Sequence, residues 1–366
     1  MSSYESLGIR PVINAFATLT KLGGSVMPAE VVQAMVDASK CFVDLHDLQR
    51  KVGERIAELT HNEAAYVSSG AAAGLLLATA ACVAGKNPDL IERFPNLSGL
   101  KNAVIVQRLH RNGYDYAVRE TGVKLVEIGS EDGTSEDDLR QALNENTAAI
   151  FWFQGAMNRP SELALDRVIT IANEHGVPVI VDAAAQLPPV ENLWKFTQMG
   201  AALAVFSGGK DLSGPQSSGL VLGRKDLIEA IRMHGAPNHA VGRPMKVGKE
   251  EMMGLLAAVE RYLTLDHKAR GVDFEARVKL WNEGLKNIEG VTASRDYPNE
   301  AGQPAPRTLL SFSEKYSKDE IIQKLWDGDP CIAVAPANGN GILLNPMTLD
   351  DVEAEIVLQR LKEVMV

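Results

Sequence analysis

Cysteine is scarce in this chain. Cys41, Cys82 and Cys331 are three in 366 residues, odd in number and far apart, so no disulfide framework is supported, and no CxxC pair marks a zinc site. No metal is expected. Positive charge is also short: 37 Lys and Arg face 47 Asp and Glu, a net charge of −10. Phosphate backbones need clustered cations, so nucleic acid is not an expected partner. Long apolar runs are missing. The longest, GAAAGLLLATAACVAG at 70–85, falls short of the ~20 residues of a membrane span. The start, MSSYESLGIRPVINAF, has no basic region ahead of an apolar stretch, so no secretory signal is expected. A cytoplasmic protein without membrane contact is the expectation. The phosphate-binding pattern G-x-x-x-x-G-K-[ST] and the dinucleotide pattern G-x-G-x-x-G are both absent.

What is present is a regular alternation. Apolar runs of strand length occur at 64–69, 102–108, 124–129, 148–154, 177–184, 201–207 and 218–224, with helical periodicity at 70–85, 135–146 and 165–176. Strands buried on both faces and joined by crossover helices make a mainly parallel sheet. After about residue 250 the texture changes. Helices are expected at 249–267, 276–288 and 317–328, with Ser317 as N-cap, and strands at 307–313, 331–336 and 342–346. NGNG at 338–341 supplies hairpin-turn chemistry, and a final amphipathic helix closes the chain. This predicts an α/β protein with a mainly parallel sheet, helices on both faces and a smaller α+β C-terminal domain. No internal repeat, low-complexity tract or long linker interrupts it.

Ligands of open α/β sheets bind at the carboxyl ends of strands. Three candidates fall there. SSGAAAG at 68–74 is either an ordinary tight turn before a closely packed helix or an anion site at that helix's N-terminus. Asp182, ending the run VPVIVD, is either a helix N-cap or a buried carboxylate that needs a positive partner. Lys210, in FSGGKD, is either a surface lysine in a loop or an amine drawn into a pocket as a nucleophile. Together they match what pyridoxal phosphate needs: an amine for the imine, an acid for the pyridine nitrogen and a helix N-terminus for the phosphate.

The stretches VIVDAAAQLPP, VFSGGKDLSGPQSSGLVLGR and GRPMKVGKEEMMGLLAAVERYL resemble the selenocysteine synthase-like (SelA-like) branch of fold-type I enzymes, as does LGIRPVINAFATLTKLGGSVMP near the start. The resemblance implies the pyridoxal-phosphate-dependent transferase fold of aspartate aminotransferase. It implies an N-terminal segment over 1–25, a large cofactor domain over 26–250, and a bridging helix with a small domain over 251–366. Lys210 becomes the Schiff-base lysine and Asp182 the pyridinium partner. Ser69, Gly70 and Ala71 bind phosphate, with Ser207 a further candidate. Gln186 either approaches the cofactor's phenolate oxygen or is a helix-surface amide. His110, just after a strand, either stacks on the cofactor's open face or is structural. Arg10, Arg108, Arg111, Arg243 and Arg307 are candidates for substrate anions, or else ion pairs of the framework.

Selenocysteine synthases engage tRNA and are longer chains with an added N-terminal domain. With its acidic balance, this chain is expected to act on a small molecule instead. The compact members of the branch resemble D-glucosaminate-6-phosphate ammonia-lyases. The implied reaction is β-elimination from a 2-amino-3-hydroxy acid, giving a 2-oxo acid and ammonia. Aldol cleavage, racemisation and transamination share its first step and stay open, as do a selenocysteine synthase-like transferase and a non-catalytic pyridoxal-phosphate-binding protein. A homo-oligomer, a dimer or a multiple of dimers, is expected from the same resemblance.

Overall fold

The structure is a computed structural model that describes residues 4–155 and 161–365. Strand β1 (Val12–Ala15) is followed by β2 (Ala64–Ser68), β3 (Ala103–Gln107), β4 (Lys124–Ile128), β5 (Thr147–Phe153), β6 (Val179–Asp182), β7 (Leu203–Ser207) and β8 (Gly219–Gly223). Then come β9 (Val291–Asp296), β10 (Arg307–Phe312), β11 (Cys331–Pro336) and β12 (Gly341–Leu344). The chain divides into two units, Met27–Leu265 and Met1–Val26 together with Asp266–Val366.

The larger unit holds a seven-stranded sheet in the order β2-β8-β7-β6-β5-β3-β4. Six strands point the same way, and β8 alone runs antiparallel to its neighbours β2 and β7. Successive side chains of a strand face opposite sides, and here both sides are covered. Ile105, Ile150, Trp152 and Val181 pack into one apolar layer, Val104, Val106, Phe151 and Ile180 into the other. This is why those runs are apolar at every position rather than at alternate ones.

The helices α1 (Ala29–Ser39), α2 (Leu45–Leu59) and α3 (Ala71–Ala84) precede or follow the first strand of this sheet. Helix α3 is buried along almost its whole length. It can lie so close because Gly74 has no side chain: a Cβ there would sit 2.9 Å from Val205 Cγ1 and 3.0 Å from Val221 Cγ2. The first turns of α3 are thereby fixed over β7 and β8.

The smaller unit is a five-stranded sheet, β1-β11-β12-β10-β9, with a core built on Trp281, Leu285, Leu310, Ile332, Ile342 and Leu361. β11 and β12 pair antiparallel across residues 337–340, where NGNG predicted a turn, and the Ser317 side chain caps the helix Lys318–Asp327. Two boundaries differ from expectation. The helix Lys249–Thr264 counts with the larger unit, not with a domain starting at 251, because Met252, Leu255, Val259 and Tyr262 enter the larger unit's core. The segment expected over 1–25 is not separate: β1 pairs in parallel with β11, Val12 opposite Cys331, as an edge strand of the smaller sheet. Its residues 1–3 lie outside the described residues.

Replacing Gly74 by Val should force α3 off β7 and β8. A loss of about 1–3 kcal/mol in urea unfolding followed by circular dichroism is expected, despite the better helix propensity of the new residue. An unchanged midpoint would mean that the contact is not tight.

Candidate active site

The carboxyl ends of β2, β7, β6, β5 and β3 share one edge of the large sheet. Along it Ser68 is level with Gly219 and Gly219 with Ser207, while Asp182 is level with Val205 on one side and Phe153 on the other. A side chain at Gly219 would collide with the Gly70 carbonyl and the Ala71 nitrogen, so backbone packs on backbone there. Gly70 is the N-cap of α3 at φ 129°, a conformation that side chains disfavour, and the space its Cβ would fill is open. As a glycine, Gly70 brings no side chain to cap this first turn. The positive end of a 14-residue helix therefore opens at the sheet edge, as an anion site requires.

Asp182 closes β6 and is 7% exposed. Its Oδ1 accepts the Ala184 N–H at 3.0 Å, which closes a tight turn, and the next helix starts only at Asn192. The helix-cap alternative is thus excluded for Asp182. Burial pushes its pKa from the usual 3.8 up to about 6, against the pull of the Ala184 N–H and of the Lys210 ammonium. That pull puts the Lys210 charge in reach of Asp182. Lys210 is half-buried, in a turn that leaves β7. The turn closes on itself: Ser213 N donates to Lys210 O at 2.9 Å, Gly214 N to Gly208 O at 2.8 Å and Gly208 N to Ser218 O at 2.9 Å. The surface-loop alternative fails for Lys210 as well.

Other expected residues are placed less simply. Ser69 is at the mouth of α3, but its hydroxyl donates to the Met245 carbonyl at 3.1 Å. Ser207 is half-buried at the end of β7, its N–H directed at the Ala184 carbonyl. Gln186 is not on a helix surface. It is buried in the turn after β6, where its Nε2 donates to the Gln154 carbonyl at 3.2 Å. His110 is wholly buried. Its Nε2 meets Glu162 Oε2 at 2.9 Å, its Nδ1 faces the Phe153 N–H at 3.4 Å, and its ring stands edge-on to Trp152. With Nδ1 as acceptor, Nε2 carries the proton and donates it to Glu162. The ring is wholly buried, with Glu162 at one nitrogen and Trp152 against it, so it offers no exposed face for stacking.

The five arginines separate by what they already hold. Arg10, in the smaller unit, donates to the carbonyls of Trp326, Asp327 and Gly328, closing the C-terminus of the helix Lys318–Asp327. Arg307, also in that unit, is buried against Asp296 and Glu300 at 2.5 Å each. Arg111 is paired with Asp115 at 2.6 Å and with Glu127. These three act as framework ion pairs and caps. Arg108 is half-exposed, and a long 3.5 Å contact to Glu131 is its one ion pair among the described residues. Arg243 is exposed and makes no side-chain hydrogen bond or ion pair among the described residues. It lies two residues before Met245, the partner of Ser69.

Sequence alone gives little notice of the second layer. Gln107, at the end of β3, both donates to the Leu163 carbonyl at 3.0 Å and accepts its N–H at 2.8 Å. It fixes the loop that brings Glu162 to His110. A polar residue ending the run AVIVQ is the signal that could have found it; Glu162 has none. No cluster of metal-ligating side chains occurs among the described residues.

Comparison with known proteins bears on this edge. The family described as SelA: L-seryl-tRNA selenium transferase matches residues 12–292. The chain belongs to that family. Among its relatives, a 5'-C-glycyluridine monooxygenase-decarboxylase of Streptomyces sp is 33% identical, over 99% of this chain and 92% of that protein. A D-glucosaminate-6-phosphate ammonia lyase of Salmonella typhimurium is 30% identical over 99% and 97%. A solved D-glucosaminate-6-phosphate ammonia-lyase superposes with a TM-score of 0.87 at 30% identity, covering 100% of this chain and 99% of the other. Aspartate aminotransferase of Thermotoga maritima, at 15% identity, superposes with a TM-score of 0.55 over 98% and 93%. The family member described here has the aspartate aminotransferase fold, fold type I.

The raised pKa of Asp182 has a sign that can be checked. In protein dialysed free of small molecules, the protonated carboxyl stabilises the fold below about pH 4, and that contribution is lost as pH rises through about 6. Two pKa units correspond to roughly 3 kcal/mol. Asp182→Asn should therefore be the more stable protein at pH 8, by up to about 3 kcal/mol, with the gap closing toward pH 4. Urea unfolding across that range measures it; a gap independent of pH would contradict the burial.

Proposed function

We propose that this chain is a pyridoxal-phosphate-dependent lyase. It removes the elements of ammonia from a small 2-amino-3-hydroxy acid, an amino sugar acid phosphate such as D-glucosaminate 6-phosphate among the candidates, and leaves a 2-oxo acid. The observation that carries the proposal is the buried carboxylate of Asp182, set at a strand end within reach of the Lys210 charge and on the same edge as the uncapped N-terminus of α3. The 30% identity over nearly the whole chain with a named ammonia lyase supports the same reading.

The donor set suits the cofactor. Oδ1 of Asp182 is held by Ala184 N–H, which leaves Oδ2 for a protonated ring nitrogen. The opening of α3 at Gly70 and Ala71 suits a phosphate, with the Ser207 hydroxyl beside it and that of Ser69 available once it turns from Met245. Gln186 reaches the same edge from the turn after β6. When bound, pyridoxal phosphate supplies an aldehyde that takes up amines and a ring that draws electron density from the carbon beside the substrate nitrogen.

The chain's own residues then divide the proton work. Asp182, buried and able to hold negative charge against a cationic partner, keeps the proton on the ring nitrogen. Lys210 Nζ anchors the cofactor and, when displaced by substrate, takes the proton from the α carbon and delivers one to the departing β-hydroxyl. Arg243 and Arg108, the cations least engaged elsewhere, meet the substrate's anionic groups. His110, closed in by Glu162 and Trp152, holds the sheet edge rather than touching the cofactor.

A second reading has support from the 33% relative, whose name includes decarboxylation. There the α carboxylate leaves in place of the α proton. Incubation with 2-amino-3-hydroxy acids, plain and phosphorylated, separates the outcomes: ammonia with a 2-oxo acid for elimination, carbon dioxide for decarboxylation, glycine with an aldehyde for aldol cleavage, and solvent deuterium at the α carbon alone for racemisation. The expected result is the first. Lys210→Ala should abolish the visible absorbance of the bound cofactor and lower turnover by about a hundred- to ten-thousandfold. A wild-type protein that takes up no pyridoxal phosphate would defeat the proposal.

A further inference from the structure

The residue after Lys210 is also an acid, and it is also buried: Asp211 is 7% exposed. Its Oδ2 accepts a 2.6 Å hydrogen bond from the hydroxyl of Tyr262, a fully buried residue of the helix Lys249–Thr264. The neighbours Leu212, Leu255 and Val259 have no exposure, so the pair lies in an otherwise apolar layer. A carboxylate in such a place is costly unless a donor satisfies it. If anchoring the turn were all that mattered, a leucine would do it without that cost. A charge-assisted O–H···O bond adds direction, because it fixes the length and angle of the link.

We infer that Asp211 and Tyr262 are positioning residues for Lys210, a strap from the helix to the turn that holds the amine facing Asp182. The inference rests on the function proposed above. The turn supports it. Lys210 is held through its own carbonyl by Ser213 N–H, and Gly208 is fixed on both sides by Ser218 and Gly214. Those bonds keep the turn's shape and tie its start to the chain entering β8, but none of them reaches the helix Lys249–Thr264. The Asp211 side chain ties it to a separate element 51 residues away in sequence. With Asp211 drawn to Tyr262, the turn that bears Lys210 is anchored where it leaves β7, the strand paired with the end of β6.

The test uses the cofactor-loaded protein. Visible circular dichroism of bound pyridoxal phosphate reports its orientation, and its dissociation rate reports how well the amine is held. Tyr262→Phe should reduce the dichroic band, speed dissociation and lower kcat, each by about tenfold or more, with KM within about twofold, since small misplacements of a reacting group are costly. Asp211→Asn keeps an acceptor for the tyrosine and should retain most of the band. Arg261→Ala, on the same helix and paired only with Glu30 at 2.8 Å among the described residues, should behave as wild type. If Tyr262→Phe does not fold, Asp211→Ala carries the same comparison. A lower Tm with an unchanged dichroic band and dissociation rate overturns the inference alone. A wild-type protein that binds no cofactor overturns the functional proposal and this inference with it.

Discussion

The site depends on one constraint: a carboxylate taken out of water at the end of β6. Asp182 cannot be buried there cheaply, and among the described residues its compensation is one backbone N–H and the charge of Lys210. A strand end is the place where this works. The strand fixes the backbone to within its ladder, the chain then turns at once, and the side chain is held without a helix to cap. Asp182 is level with Val205, two residues before the end of β7, so the turn bearing Lys210 follows on the adjacent strand. Sheet register sets the acid beside the strand from which the amine's turn leaves.

The same register explains α3. Its first turns lie over β7 and β8 because Gly74 and Gly219 remove the side chains that would hold it away. The helix opening, the acid and the turn bearing the amine thus share one edge of the sheet, placed by close backbone approach and strand pairing. Reacting groups on such elements need little reorganisation.

Much of this was legible in the sequence, and for a physical reason. The strands β2, β3, β6 and β7 are buried on both faces, so each appears as an apolar run, and the polar residue that ends it lies at the edge: Ser68, Gln107, Asp182 and Ser207. Helix α2 follows the same physics, with Leu45, Leu48, Val52, Ile56 and Leu59 at helical spacing behind the cap Asp44, but it went unread in the sequence. β1 and β9 were not legible. β1 is only four residues long, and β9 is an edge strand whose side chains mostly face water, so neither forms an apolar run. The role of His110 was hidden because it is decided by Glu162, a residue 52 positions on in a loop whose path depends on the Gln107 clamp. The arginines could not be sorted by type. Arg10 and Arg307 look as available as Arg243 until their partners in the folded chain are known.

That sorting suggests how one scaffold can support relatives named for different reactions. The acid, the turn bearing the amine and the helix opening are held at the sheet edge by register and backbone contact. The cations that remain for substrate belong to connecting segments: Arg108 to the turn after β3 and Arg243 to the segment before the helix Lys249–Thr264. Segments of that kind accept substitution without loss of the core. On the function proposed above, which bond at the α carbon breaks depends on how the substrate's anionic groups are held relative to the ring, and these outlying cations are the ones that would hold them. Selectivity and chemistry are thus assigned to different parts of the chain, and the first can change while the second stays fixed.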